Sequence, residues 1–222
     1  MPKRALIDRR PWLFAAIVAA IAYFVLRGTT DDYWIIALKG APVAALAIYA
    51  AERGLGVDGQ LLTLVLGLGA LGDMLLEIDL LYGGAAFFAG HLAGIVLYLR
   101  NRRANPAGSQ VALAVALFVF TPALAWLLSG SLQVSFYGLG LGAMAATAWL
   151  SSFPRYRVGI GAILFVVSDL LIFGRGGGMV PGTVAAWLIW PLYAAGQFLI
   201  ATGVVQSLRR RDKADRREIL PA

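Results

Sequence analysis

The chain has 222 residues, of which 60% are hydrophobic and only 14% are charged, and its formal net charge is +7. Ordinary soluble domains carry about 25% charged residues, so the composition argues against a soluble enzyme, a disordered chain or a nucleic-acid-binding domain. With no cysteine and one histidine, the chain lacks the residues for a disulfide, a thiol nucleophile or a multi-histidine metal site, and no metal or cofactor is expected.

Eight segments are apolar and long enough to be candidate membrane-spanning helices, which need about 17–25 residues each. In chain order they cover residues 11–27, 34–51, 60–79, 83–100, 110–129, 134–151, 158–174 and 182–207. We therefore predict an all-α fold, a bundle of eight transmembrane helices that forms a single integral membrane domain over residues 1–222. Only residues 2–10 and 209–222 are polar tails, and no cleavable signal peptide is evident.

Lysine and arginine residues fall mainly on one side of the predicted bundle. Sixteen of the 19 lie on the side that holds both termini, whereas Arg27 and Arg175 lie on the other side and Lys39 falls within the second span. Cytoplasmic segments of membrane proteins are enriched in these residues. The distribution predicts cytoplasmic N and C termini, and we expect the chain in the bacterial inner membrane.

A short pattern recurs four spans apart and indicates an internal repeat. Residues 72–76 and 168–172 each read small, Asp, then three apolar residues, and residues 89–91 resemble 195–197. Because four is an even number of spans, the two halves would share one topology around an axis along the membrane normal. The predicted repeat halves are residues 11–100 and 110–207.

Five ionisable side chains fall inside predicted spans, where a charged group is costly and is retained when it is paired or used. These residues are Lys39, Asp73, Glu77, His91 and Asp169. Counting about 1.5 Å per residue from the span ends places all except Glu77 at similar depths, between the midplane and the non-cytoplasmic third. This convergence is the main functional signal in the sequence.

The spacing of these residues suggests acid–base chemistry but leaves structural roles open. Asp73 and Glu77 are four residues apart and are expected to share a helix face, where two carboxylates in an apolar medium cannot both ionise cheaply. One of them could then act as a general acid. Tyr193 and Gln197 share the same spacing in the last span, where hydrogen bonds between helices are the alternative role for Gln197.

Each of the other side chains also has a structural alternative. The two aspartates could bond the helix backbone or neighbouring hydroxyls, and Glu77 could face the membrane interface. Lys39 could extend to the membrane surface or serve as a counter-ion for a buried aspartate, and His91 could be a packing residue.

Several of these residues belong to motifs that resemble the YhhN-like lysoplasmalogenase family of eight-span membrane proteins. The matching motifs run from the second span to the eighth: residues 39–42, 72–76, 84–91 and 161–169, followed by Tyr193 and Gln197. The ordered set, at the expected span numbers, carries the resemblance.

The resemblance implies hydrolysis of the vinyl-ether bond of lysoplasmalogens. The expected partners are a lysophospholipid, which is the substrate, and the membrane lipid around the protein. The products would be a fatty aldehyde and a glycerophospho-ethanolamine or glycerophospho-choline. The essential aspartates of the family map to Asp73 and Asp169, and we expect support from Lys39, Glu77, His91, Tyr193 and Gln197.

Vinyl ethers are cleaved by acid, so the reaction needs a protonated acid, an anion near the developing cation and a water molecule, as in glycoside hydrolysis.

Two other classes of protein fit the same pattern. Carboxylates near the membrane midplane and parallel repeats also describe a proton-coupled carrier. A lipid-binding or structural membrane protein could use the buried carboxylates for assembly. The sequence leaves open which aspartate is the acid and what the oligomeric state is.

Overall fold

The computed structural model describes residues 10–29 and 33–219, and this part of the chain folds into eight α-helices without β-strands. The helices are α1 (Pro11–Leu26), α2 (Trp34–Arg53), α3 (Gly56–Leu75), α4 (Leu80–Arg100), α5 (Gly108–Ser129), α6 (Leu132–Leu150), α7 (Ile160–Gly176) and α8 (Gly182–Ile219). One π-helical turn, Arg155–Gly159, leads into α7. The predicted all-α fold is confirmed.

Six of these helices are long and apolar enough to cross a membrane, which makes the chain an integral membrane protein. They are α2, α3, α4, α5, α8 and α7 together with its preceding π-helical turn. The first helix is shorter, with 16 residues, and α6 is not among the six. The count of eight crossings, the cytoplasmic termini and the internal repeat stay predictions, and residues 1–9 of the basic N-terminal tail lie outside the described residues.

Each predicted span corresponds to one helix, and the largest differences are at α3 and α8. The third helix starts at Gly56 and ends at Leu75, four residues earlier at each end than predicted. The last helix continues to Ile219, so most of the predicted polar tail after residue 208 is helical. Its Arg- and Lys-rich end consists largely of good helix formers, and Arg216 pairs with Asp212 one turn earlier at 3.1 Å.

The end of α3 corrects the prediction that Asp73 and Glu77 share a helix face. Glu77 lies in the turn between α3 and α4, beyond the last residue of the helix. Two residues later, the Asp79 carboxylate accepts hydrogen bonds from the backbone N–H groups of Leu81 and Tyr82, at 2.8 and 3.1 Å. Asp79 is therefore the N-cap of α4, and this new helix start fixes where α3 must stop.

Most helices that follow each other in sequence pack together, except that α4 packs against α6 instead of α5, and α8 also contacts helices of the first half of the chain. It packs against α7 and also against α2 and α3. The backbones of α7 and α8 approach closely at Gly161 and Gly196, because a Cβ atom added to either residue would lie 2.7 Å from the carbonyl oxygen of the other. Small residues at a crossing allow this proximity in membrane helices, and it brings the later turns of α7 beside the first half of α8.

Candidate active site

Asp73 and Tyr193 join α3 to α8 through a buried hydrogen bond. The Tyr193 hydroxyl donates to Oδ2 of Asp73 at 2.8 Å, and the two side chains are almost fully buried. Asp73 lies in the last turn of α3, whereas Tyr193 lies in the first half of α8. The bond therefore depends on the packing of two helices that are far apart in sequence.

A second buried carboxylate is linked to His91 through a tyrosine. The Tyr137 hydroxyl of α6 donates to Oδ2 of Asp169 on α7 at 2.8 Å. The Tyr137 hydroxyl oxygen also lies 3.0 Å from Nε2 of His91 on α4. The hydroxyl can therefore accept a hydrogen bond from that nitrogen while it donates one to the carboxylate. One hydroxyl thus connects three helices and places the imidazole two hydrogen bonds away from Asp169.

Aromatic rings connect these two units into one assembly. The Phe165 ring packs edge-on against both Tyr193 and His91, with centroid distances of 5.2 and 5.3 Å. The two carboxylates are close enough to interact electrostatically. We call the five polar residues that converge here the aspartate cluster: Asp73, His91, Tyr137, Asp169 and Tyr193.

Gln197 adds a buried amide beside the aspartate cluster. Its amide nitrogen lies near the Tyr193 hydroxyl, and its Oε1 atom is buried without a hydrogen-bond partner among the described residues. Gln197, His91, Phe87 and Phe165 line a cavity of about 10 Å³. That volume holds about one water molecule, which a buried amide oxygen without a partner requires.

A lysolipid bound between the two aspartates would need a chamber much larger than this cavity. Its volume is far too small for a lipid chain. The Asp73 and Asp169 carboxylates, which belong to the described part of the chain, do not line this cavity. Binding of a lipid between the carboxylates therefore requires side chains or helices to move apart.

Lys39 and Glu77 form an ion pair next to Asp73. Lys39 Nζ lies 2.5 Å from Oε1 of Glu77, and the lysine side chain is only 15% exposed. Lys39 is therefore largely buried, and its ion-pair partner is Glu77 rather than an aspartate. It is also close enough to Asp73 to interact with that carboxylate electrostatically.

The structure brings together the sequence-predicted site residues, and it adds Tyr137 and Phe165. Asp73, Asp169, His91, Tyr193 and Gln197 are all buried around one centre. Tyr137 lies six residues into α6, where a tyrosine also fits an interfacial position, so its sequence position alone did not distinguish it. Within residues 10–29 and 33–219, no group of three or more histidine, aspartate or glutamate side chains has the arrangement of a metal site.

The YhhN family matches residues 34–204 of the sequence. The chain belongs to this family. Two proteins named lysoplasmalogenase, from Mycobacterium bovis and Mycobacterium tuberculosis, are each 33% identical to it over 180 residues. Each alignment covers 75% of this chain and 69% of the relative. No solved structure matches the chain.

Family membership confirms the resemblance inferred from the sequence motifs. The matched region extends from the first residue of α2 into α8, and it includes every residue of the aspartate cluster. It also includes Gln197 and the ion pair between Lys39 and Glu77. The family match therefore covers the whole candidate site.

Proposed function

We propose that this protein hydrolyses the vinyl-ether bond of a lysoplasmalogen-type lysolipid by acid catalysis. The observation that carries the proposal is the burial of Asp73 and Asp169, each bonded to a tyrosine hydroxyl, within one side-chain cluster. Two relatives named lysoplasmalogenase add support, because they share a third of their aligned residues with this chain. Two carboxyl groups suit acid-catalysed ether cleavage, since one can deliver a proton while the other faces the developing positive charge.

The reaction begins when a carboxylic acid transfers its proton to the outer alkene carbon of the vinyl ether. The resulting oxocarbenium ion is attacked at its carbon by water, which loses a proton and gives a hemiacetal. The hemiacetal then breaks its bond to the glycerol oxygen, which takes up a proton, and a fatty aldehyde and a glycerophospho-alcohol are released. The net change is the addition of one water molecule, and the acid is protonated again at the end.

We assign the acid to Asp169 and the stabilising anion to Asp73. Asp73 accepts a hydrogen bond from Tyr193, next to the Gln197 amide, which does not exchange protons as an imidazole does. Asp169 instead contacts the Tyr137–His91 pair, which provides a hydrogen-bonded route by which a proton can return to the carboxylate. The small cavity beside Gln197 and His91 is the position that we assign to the attacking water.

The substrate tail is expected to remain in the bilayer while the vinyl ether reaches the aspartate cluster. Ile78 in the turn after α3, and Leu80 and Leu81 at the start of α4, are exposed only a few residues after Asp73, so an apolar surface adjoins the site. In this arrangement the lysolipid enters laterally from the membrane, and Lys39 lies where it can attract the phosphate group. We further propose eight membrane crossings with cytoplasmic termini in the bacterial inner membrane.

Aldehyde release from a synthetic alkenyl lysolipid tests the proposed reaction. We expect the purified protein to cleave this lipid but not its acyl analogue with the same head group. Asp73→Asn and Asp169→Asn should each lower the rate by about 10²–10⁴-fold, the usual range for removal of an acid or base. Asp212→Asn, which alters an aspartate near the end of α8 that pairs with Arg216, is the matched control and should retain the wild-type rate.

Two results would contradict the proposed function. If the Asp73→Asn and Asp169→Asn variants both cleaved the alkenyl lipid at the wild-type rate, neither carboxyl group would take part in the reaction. If the wild-type protein released no aldehyde but exchanged lipid or protons across proteoliposomes, the carrier alternative would replace hydrolysis.

A further inference from the structure

The ion pair between Lys39 and Glu77 lies about one helical turn beyond Asp73. Glu77 follows the last residue of α3, and its backbone N–H donates to the carbonyl of Met74 at 3.2 Å, so the chain continues in a tight turn. Four residues correspond to about 6 Å along a helix. Because the end of a membrane helix lies where hydrocarbon gives way to lipid head groups, Glu77 is nearer to that level than Asp73 is.

Both members of the ion pair keep capacity to bind a further group. A bond of 2.5 Å joins Nζ of Lys39 to Oε1 of Glu77, and the glutamate side chain is 37% exposed. An ammonium group has three N–H donors, and an ionised carboxylate has about four acceptor positions. The bond between Lys39 and Glu77 therefore occupies only part of what each group can bind, and the exposed part of the glutamate can be reached from outside.

Two opposite charges in contact complement a head group that also carries two opposite charges. With a phosphate against Lys39 and an ammonium group against Glu77, each of the four charges has an opposite charge as its neighbour, which is the favourable arrangement. A head group that carries phosphate alone would bring its negative charge close to the Glu77 carboxylate as well as to Lys39. Repulsion from the carboxylate would then offset part of the attraction.

The length of a lysolipid matches the distance between Asp73 and the ion pair. Six covalent bonds separate the vinyl-ether carbon that water attacks from the phosphorus atom, or about 7 Å in an extended chain. Four more bonds lead to the amine nitrogen, or about 5 Å. A vinyl ether beside Asp73 therefore places the phosphate and the amine at the level of Lys39 and Glu77, and the tail runs the opposite way, into the bilayer.

We propose that Glu77 selects the head group of the lysolipid by binding a primary ammonium group, so that ethanolamine is preferred to choline. The inference rests on the proposed function and adds a specificity-determining residue to it. The bond to Lys39 shows that the Glu77 carboxylate accepts a primary ammonium group at hydrogen-bond distance. Choline has no N–H donor, and its methyl groups hold the charge farther from the carboxylate, so choline forgoes the hydrogen bonds and part of the charge attraction.

A graded series of head groups on one alkenyl lysolipid tests this preference. The series runs from phosphoethanolamine through its N-methyl and N,N-dimethyl forms to phosphocholine, which keeps the charge while the N–H donors are removed one by one. We expect kcat/KM for aldehyde release by the purified full chain in neutral detergent to fall about tenfold along the series, the factor typical of a hydrogen bond to a charged group. Glu77→Gln should reduce this ratio to less than about twofold.

The ratio between two substrates of one variant separates recognition from a structural role, because a general loss of folding or rate affects both substrates equally. Glu77→Asp moves the carboxylate back by one methylene group and should give an intermediate ratio. Glu52→Gln is the matched control, since Glu52 is near the end of α2 and bonds Trp12 instead, and it should keep the wild-type ratio. An unchanged ratio in Glu77→Gln would overturn the proposal, and so would equal rates for all four lipids in the wild type.

Binding measured without the reaction separates this proposal from the proposed hydrolysis. In native mass spectrometry, the wild type should retain acyl lysophosphatidylethanolamine in preference to acyl lysophosphatidylcholine, whereas Glu77→Gln should retain the two equally. This preference without any aldehyde release would support the role of Glu77 in head-group binding and contradict the hydrolysis. Aldehyde release with equal retention of the two acyl lipids and equal rates for the alkenyl series would contradict the role of Glu77 alone.

Discussion

At the scale of single residues, two tyrosine hydroxyls define how the buried carboxylates are held. Tyr193 donates to Asp73 and Tyr137 donates to Asp169, each at 2.8 Å. A buried carboxylate needs such donors because it has lost water as a partner. The hydroxyl of Tyr137 carries an additional role, since it also contacts His91.

Tyr137→Phe tests that additional role. The change removes one hydroxyl and keeps the ring, so we expect kcat for alkenyl lysolipid to fall about 10–100-fold, because a hydrogen bond to a charged group contributes about 1.5–3 kcal/mol. Tyr156→Phe, at a tyrosine that is 70% exposed, should leave kcat unchanged. A wild-type kcat in the Tyr137→Phe variant would show that the contact with Asp169 is dispensable.

The residual activities of the two aspartate variants distinguish the acid from the anion. An acid catalyst works only while it is protonated, so the rate falls as the pH rises through its titration. Asp73→Asn should keep this alkaline fall because Asp169 is still present, whereas the residual rate of Asp169→Asn should lose it. Rate–pH profiles of aldehyde release measure both, and the reverse pattern would exchange the two roles.

At the scale of helices, the crossing of α7 and α8 sets the geometry of the aspartate cluster. Gly161 and Gly196 let the two backbones touch, and the same helices carry Asp169 and Tyr193. A larger residue at the crossing would push the helices apart over their whole contact. The position of the site therefore depends on two glycines that are outside the aspartate cluster.

Gly161→Ala should destabilise the protein by about 1–3 kcal/mol, the usual cost of adding a methyl group to a packed contact. It should also lower the aldehyde-release rate of the molecules that remain folded. Gly67→Ala is the matched control, because a Cβ atom at that position of α3 meets no other atom within 4 Å and alanine favours the helix. Melting temperatures in detergent compare the two variants, and equal values would show that the α7–α8 contact tolerates a methyl group.

At the scale of the whole molecule, the arrangement of helices builds the aspartate cluster from both halves of the chain. The cluster joins α3, α4, α6, α7 and α8. Of these helices α8, with 38 residues, is the longest helix described. With the eight crossings and cytoplasmic termini that we propose, we expect the aspartate cluster toward the non-cytoplasmic side of the membrane.

Single-cysteine variants test this topology directly, since the chain has no native cysteine. In intact cells, a membrane-impermeant maleimide should label Gly176→Cys at the end of α7 but leave Ala104→Cys and Ala214→Cys unlabelled. The last two positions lie in the connection between α4 and α5 and in the polar part of α8, and both are exposed. Labelling of Ala104→Cys without permeabilisation would contradict the predicted orientation.

The sequence by itself determined the helical class, the order and approximate bounds of the helices, the family and the two aspartates. These features depend on local properties, because apolar length defines a membrane helix and the cost of burying a charge marks five ionisable residues, from which the family resemblance selects Asp73 and Asp169. The sequence did not predict the early end of α3, because the Asp79 cap at the start of α4 competes with continuation of α3.

Only the tertiary structure decided which side chains meet. Tyr137 reaches both Asp169 and His91, and Lys39 pairs with Glu77. These contacts follow from how helices distant in sequence cross and rotate against each other. That arrangement is set by packing between helices, which no single segment encodes on its own.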